Sequence, residues 1–258
     1  MTKTILITGS TDGIGLLTAK LLAAEGHQIL LHGRSADKLR AAAAEVGGDR
    51  ETYQADLSSL VATRDLASAI RAKHQKIDVL INNAGVYKVP NAILPNGQDM
   101  RFVVNTLAPY LLSQELLDLI PADGRILNLS SAAQARVDIA ALRGDRQLDP
   151  MGAYAQSKLA LTIWSAELAK TLPNGPAVIS VNPGSLLASK MVKEGFGVAG
   201  SDLRIGADIL CRLALDPDHA GDSGKYWDND AGRFAAPDAA AADPRQVSDV
   251  MAAIQALI

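Results

Sequence analysis

A chain of 258 residues has room for one α/β domain and little for a second, and its 48% apolar and 21% charged residues support a full core and exclude wholesale disorder. With 25 basic against 28 acidic residues, a net charge of −3 and no block of lysine or arginine, the electrostatic footprint of a nucleic-acid binder is absent. The single Cys211 excludes an internal disulfide, and His27, His32, His74 and His219 lie far apart without partners at metal-ligand spacing, so no metal site is expected.

Residues 1–8 run directly into a glycine turn, too short an apolar run for a signal peptide, and no stretch approaches the ~18 apolar residues of a membrane span. The expectation is a cytoplasmic protein with a small-molecule substrate, and with neither nucleic acid nor membrane as partner.

The first apolar run, 4–8, reads as a strand and ends in Thr8-Gly-Ser-Thr-Asp-Gly-Ile-Gly15, which opens the amphipathic pattern of 14–24. Gly9 permits a tight turn, while Gly13 and Gly15 let backbone approach a pyrophosphate and let helix pack on strand. The N–H groups of the helix start, with Ser10, Thr11, Asp12 and Ile14 in the same loop, would face that anion. This strand–loop–helix setting predicts dinucleotide binding.

The second strand, 28–32, leads to His32-Gly33-Arg34-Ser35. A carboxylate here would bind a ribose 2′-hydroxyl, whereas a cation suits a 2′-phosphate, so Arg34 favours NADP(H), with NAD(H) as the second choice and Gly33 leaving room for the phosphate. Asp12 stands in the glycine loop where a basic residue would strengthen that preference.

Farther along, helices at 36–46, 60–74, 98–119, 153–171, 203–215 and 246–257 alternate with strands at 52–54, 77–81, 125–129, 177–181 and 224–227. Such alternation predicts a single doubly wound α/β domain, a parallel seven-stranded sheet with helices on both faces. A glycine-rich cofactor half would occupy about 1–130, and a catalytic and substrate-loop half about 131–258. The segments 132–152 and 186–201 break the rhythm after strand ends and read as walls or lids of a substrate cleft. Gly195, Gly197 and Gly200 would let the second segment move, while Met191, Val192 and Phe196 would meet Val137, Ile139 and Leu142 across a cleft suited to hydrophobic ketones or aldehydes.

Tyr154-Ala-Gln-Ser-Lys158 lies in a helical pattern, and its i, i+4 spacing places phenol and ammonium on one face. Lowering a tyrosine pKa by ~3 units requires about 4 kcal/mol. A lysine charge ~4 Å away at an effective dielectric of ~20 supplies about that much.

In order along the chain stand Thr8-Gly-x-x-x-Gly-Ile-Gly15, Asp56-Leu57, Asn82-Asn-Ala-Gly85, Asn105, Asn128-Leu-Ser-Ser131, Tyr154-x-x-x-Lys158 and Asn182-Pro-Gly184. With these the sequence resembles the short-chain dehydrogenase/reductase family from Thr4 to about Asp230. The long interval from Ser131 to Tyr154, Gly33-Arg34 and Ser223-Gly-Lys-Tyr-Trp227 are similar to its retinol-dehydrogenase-like branch, which prefers NADP(H). Members of that branch often carry an N-terminal membrane anchor, of which this sequence shows no sign, so retinoid substrates do not follow.

The resemblance implies a Rossmann fold and a role for each matched position. Asp56 would accept a hydrogen bond from the adenine amino group beside Leu57, and Asn83, Ala84 and Gly85 would line the adenosine ribose. Asn105 would hold a helix kink and a water leading to Lys158. Ser131 would hydrogen-bond the substrate oxygen, Tyr154 would exchange its proton, and Lys158 would lower the tyrosine pKa and bind the nicotinamide ribose. Pro183, Gly184 and Leu186 would border the nicotinamide; Ala188 stands where the family's carboxamide-binding hydroxyl is expected, with Ser189 next.

The implied activity is that of a carbonyl reductase/alcohol dehydrogenase. The rival is a catalytically silent nucleotide-binding regulator or scaffold, against which the full Ser131, Tyr154 and Lys158 set argues. Sugar epimerisation on the same fold would need more chain after the nucleotide domain. Family resemblance also suggests a homodimer or homotetramer through the 98–119 and 153–171 helices, where Leu111, Leu112, Leu161 and Trp164 could face either a second copy or their own sheet.

Overall fold

Ile5, Leu6 and Ile7 of the first strand, β1 (Thr4–Ile7), are fully buried, because a strand covered by helices on both faces has no side turned to water. The computed structural model describes residues 1–188 and 200–258. The first half continues through α1 (Gly13–Ala24), β2 (Gln28–Gly33), α2 (Ala36–Val46), β3 (Glu51–Gln54), α3 (Leu60–Arg71) and β4 (Val79–Asn82). It is completed by α4 (Met100–Phe102), α5 (Ala108–Leu116) and β5 (Arg125–Leu129). The second half holds α6 (Ile139–Arg143), α7 (Pro150–Thr171), β6 (Ala177–Asn182), α8 (Leu203–Leu215), β7 (Tyr226–Asp228), β8 (Arg233–Ala235) and α9 (Pro244–Leu257).

Among the described residues the strands form one sheet in the order β3-β2-β1-β4-β5-β6-β7-β8. The expected seven-stranded parallel sheet is therefore corrected to eight strands, the last antiparallel to β7 with Trp227 opposite Phe234. Only four residues separate β7 from β8, and a link that short can join antiparallel neighbours alone. Alternate residues serve opposite faces. Leu6, Leu30, Leu80, Ile126 and Val178 enter one core cluster, whereas Ile5, Ile7, Ile29, Leu31, Val79, Ile81, Leu127 and Ile179 enter the other.

The predicted 98–119 helix is not uniform. Between α4 and α5 the backbone widens into a π-helical turn, Val103–Leu107, centred on Asn105, which agrees with the expected irregularity there. The 153–171 helix starts earlier than its apolar pattern, at Pro150, with the Asp149 side chain accepting from the amides of Met151 and Gly152.

The 132–152 segment contains α6, and Val137 and Leu142 are buried in the main core cluster with Val250, Ala253 and Ile254 of α9. This corrects the reading of Val137 and Leu142 as cleft contacts: α9 lies over that segment and draws its apolar residues inward. Leu111, Leu112, Leu161 and Trp164 are likewise buried within their own chain, so an assembly would have to use other residues. Among the described residues no helix is long and apolar enough to cross a membrane. Ser189, Met191, Val192, Gly195, Phe196 and Gly197 lie outside the described residues.

Candidate active site

Gly9 and Gly13 adopt φ of +64° and +56°, the left-handed region that the tight turn after β1 requires. At Gly15 a Cβ would lie 2.4 Å from the Asn83 amide nitrogen, which explains the third glycine. That amide donates to the carbonyls of Thr8 (2.8 Å) and Gly9 (3.0 Å), and the Ala84 N–H donates to the Thr8 hydroxyl (3.1 Å). Two strand-end loops are thereby joined into one cradle. Asp12 caps α1, accepting from the Gly13 amide at 2.7 Å.

Behind the cradle the Gly9 N–H donates to His32 Nδ1 (3.1 Å), and Ser10 Oγ accepts from the His32 amide (2.9 Å). An accepting Nδ1 puts the proton of the neutral ring on Nε2. His32 is buried, and this burial lowers its pKa to about 4 against the opposing pull of the Ala55 backbone and Asp56.

Arg34 follows β2, and Ser35 caps α2 through a 3.4 Å bond from the Lys38 amide to its hydroxyl. Arg34 and Lys38, four residues apart on either side of the Ser35 cap, both line the same cavity. Among the described residues neither cation has an ion-pair partner. Lys38 was missed in the sequence; its signal is the four-residue spacing from Arg34 across a serine cap. The room expected at Gly33 is occupied by Thr11, whose Cγ2 lies 2.5 Å from where a Gly33 Cβ would stand, so this glycine accommodates Thr11. Asp56 accepts from the Ser58 amide (3.0 Å) in the turn beyond β3.

At the other end, Lys158 is buried on α7 and its Nζ donates to the Leu129 carbonyl (2.7 Å), 5.7 Å from the centre of the Tyr154 ring. Burial lowers the Lys158 pKa to about 8. Tyr154 is partly buried, and removal of its phenol from water raises its pKa; the hydrogen bond shared with the Ser131 hydroxyl opposes this, and Tyr87 adds to it. The expected fall in the tyrosine pKa is therefore corrected to a rise, because desolvation prevails and the lysine is tied to the end of β5.

Ser131 is held through its carbonyl, which accepts from the Tyr226 hydroxyl (3.1 Å) and the Gln134 amide (2.9 Å). Asn105 accepts from the Val86 amide (2.8 Å), and its own amide donates to the Val86 carbonyl (3.0 Å) and the Ser157 hydroxyl (3.0 Å). Its π-helical turn therefore fixes the loop after β4. Tyr87 of that loop stands with its ring centre 5.2 Å from that of Tyr154.

One cavity of about 630 Å³ joins these parts, within the range of small-molecule sites. Gly9, Thr11, Asp12, Gly13, Ile14, Gly15, Arg34, Asp56, Leu57, Asn83, Ala84, Gly85, Tyr154, Lys158 and Pro183 all line it. Ser10, Asn105, Ser131, Gly184 and Leu186 do not lie on its wall. Val86, Tyr87, Lys88, Val89 and Val104, unforeseen in the sequence, are also part of its lining.

Residues 3–196 match the short chain dehydrogenase family. Human retinol dehydrogenase 13 is 33% identical, over 92% of this chain and 79% of that protein. An uncharacterized protein from Mycobacterium paratuberculosis has a similar crystal structure, with a TM-score of 0.81 and 27% identity over 99% of this chain and 92% of that one. A short chain dehydrogenase from Burkholderia cenocepacia J2315, in complex with NADP, gives a TM-score of 0.71 and 27% identity over 88% of this chain and 95% of that one. From the matched span and these likenesses, the chain belongs to the short-chain dehydrogenase/reductase family, in its retinol-dehydrogenase-like branch.

Proposed function

We propose that this oxidoreductase uses NADP(H) to interconvert a carbonyl and an alcohol on a small, hydrophobic ketone or aldehyde. The observation that carries the reading is one continuous cavity with Arg34 and Lys38, cations without an ion-pair partner among the described residues, at one end and Tyr154 and Lys158 at the other. The cradle fits a dinucleotide: a side chain at Gly15 would collide with Asn83, and the start of α1 offers amide N–H groups to a pyrophosphate. The NADP-bound Burkholderia neighbour supports the choice of cofactor.

Arg34 and Lys38 would hold the 2′-phosphate, the guanidinium through two parallel bonds and the ammonium as a point charge. Asp56 and Leu57 would receive the adenine, and Asn83, Ala84 and Gly85 the ribose beside it. When bound, the cofactor supplies the hydride. Tyr154 gives its proton to the carbonyl oxygen as the C=O bond becomes an alcohol, and takes it back in the reverse reaction. Its raised pKa keeps that proton in place at neutral pH, which suits reduction. Ser131 hydrogen-bonds the developing oxyanion, and the Lys158 ammonium stabilises the tyrosinate that remains. Val86, Val89 and Val104 favour an apolar substrate.

The test is a panel of ketones and aldehydes followed by loss of NADPH absorbance. Turnover that rises with apolar chain length supports the reading. NADPH binding without turnover of any carbonyl would indicate a silent nucleotide-binding protein, and equal use of NADH would overturn the cofactor assignment.

A further inference from the structure

The turn after β6, Asn182-Pro183-Gly184-Ser185-Leu186, is gripped by the turn after β7. Asn182 donates its side-chain amide to Asp228 and Asp230, both at 2.9 Å, and accepts from the Gly184 amide at 3.3 Å. Asp230 accepts the Ser185 amide on Oδ1 (2.8 Å) and the Ser185 hydroxyl on Oδ2 (2.5 Å). Asn229 completes the grip by donating to the Pro183 carbonyl (3.0 Å).

The gripped backbone is one that the chain would not choose. At the end of that turn Leu186 has φ of +51°, the left-handed region that side chains other than glycine avoid; it is 47% exposed, so its own packing does not impose the conformation, which is held between the Asp230 grip on Ser185 before it and the Ser201 amide that donates to its carbonyl (2.8 Å). Strain of this kind persists only where neighbours over-determine it. Pro183 of the same turn lines the cavity that holds Tyr154 and Lys158.

We propose that Asp230 is a positioning residue: through Ser185 and Asn182 it fixes the turn that carries Pro183 to the wall of the cavity, and so sets the approach of nicotinamide to carbonyl. The inference rests on the proposed function. Burial pushes the Asp230 carboxyl up, but the Ser185 hydroxyl and amide and the Asn182 amide outweigh it and hold the pKa below the usual carboxylate value, in keeping with an ionised hub. Asp230 is itself exposed, so its replacement spares the core.

The variants are Asp230→Ala and the milder Ser185→Ala, which loses only the hydroxyl bond. Backbone hydrogen exchange is read on the cofactor-free protein, and the NADP⁺ dissociation constant, kcat and the isotope effect with C4-deuterated NADPH on the loaded one. Asp230→Ala should speed exchange at Ser185 by roughly tenfold or more, lower kcat by a similar factor and raise the isotope effect on kcat, with the melting temperature and the carbonyl KM little changed. Ser185→Ala should move each reading the same way by less. Unchanged exchange at Ser185, or faster exchange with unaltered kcat and isotope effect, would overturn the proposal. A wild-type protein that turns over no carbonyl would instead overturn the functional reading, and exchange with the NADP⁺ dissociation constant would still decide on the grip: no change in either overturns it.

Discussion

Lys158 and Tyr154 meet across 5.7 Å, from ammonium to ring centre, while the same ammonium is anchored 2.7 Å from the Leu129 carbonyl. The pair thus consists of a buried cation and a phenol held in its neutral form. Its two members titrate in ways that can be measured separately.

The lysine pKa drops from 10.5 unfolded to about 8 folded, so its charge opposes folding below pH 8. Between pH 8 and 10.5 the unfolded chain binds more protons there, and stability rises with pH by an amount on the order of 3 kcal/mol when complete. Lys158→Met should therefore raise the melting temperature by a few degrees at pH 7, with a gap that narrows by pH 10, while activity is lost. Calorimetry at the two pH values checks this; a lower melting temperature at pH 7 would mean that the bond to Leu129 outweighs the burial cost.

Tyr154→Phe keeps the ring that packs on Tyr87 and removes only the hydroxyl. Loss of a positioned proton donor should lower kcat by roughly 10²–10⁴-fold, with the NADPH dissociation constant nearly unchanged. Steady-state kinetics with fluorescence titration separates the two. Retention of more than about a tenth of the rate would place the proton transfer elsewhere.

What the sequence revealed, and what it hid, follows from the range of the forces involved. The glycine loop, the strand-end asparagines and Tyr154 with Lys158 were legible because each depends on neighbours within a turn or a strand. The direction of the Tyr154 shift was not, since charge spacing along a helix says nothing about desolvation. Val137 and Leu142 were assigned to the wrong side because their burial depends on α9, about a hundred residues away. The eighth strand, Arg233–Ala235, is three residues long and carries no alternation to read.

Arg34 and Lys38 were unequal in the same respect: the first stands at a strand end with a recognised task, the second becomes relevant only once Ser35 starts a helix there. Each should contribute to 2′-phosphate binding and neither to the common part of the dinucleotides. Arg34→Ala should raise KM for NADPH by roughly tenfold or more, Lys38→Ala by less, and the double variant should equalise NADPH and NADH. An equal rise in KM for both cofactors in either single variant would remove that residue from the phosphate site.

His32 titrates in the same sense as Lys158, but on the acid side. Its pKa falls from 6.5 unfolded to about 4 folded because its ring is buried, and in the folded chain its Nδ1 accepts the Gly9 amide. Between those values the unfolded chain takes up the extra proton, so this group's contribution is complete above pH 6.5 and is lost as pH falls toward 4, to an extent on the order of 3 kcal/mol. The charged groups nearest it are Asp56 and Arg34, which pull its pKa in opposite directions. His32→Asn offers an amide oxygen in place of Nδ1 and cannot be protonated. The variant should start less stable, because a smaller side chain leaves a cavity, but its unfolding free energy should fall less steeply than that of the wild type between pH 6.5 and 4. Urea titrations at pH 6.5, 5.5 and 4.5 measure the difference in slope, in which the shared carboxylates cancel. Parallel slopes would show that His32 takes up its proton in the folded chain, with the Gly9 bond already broken.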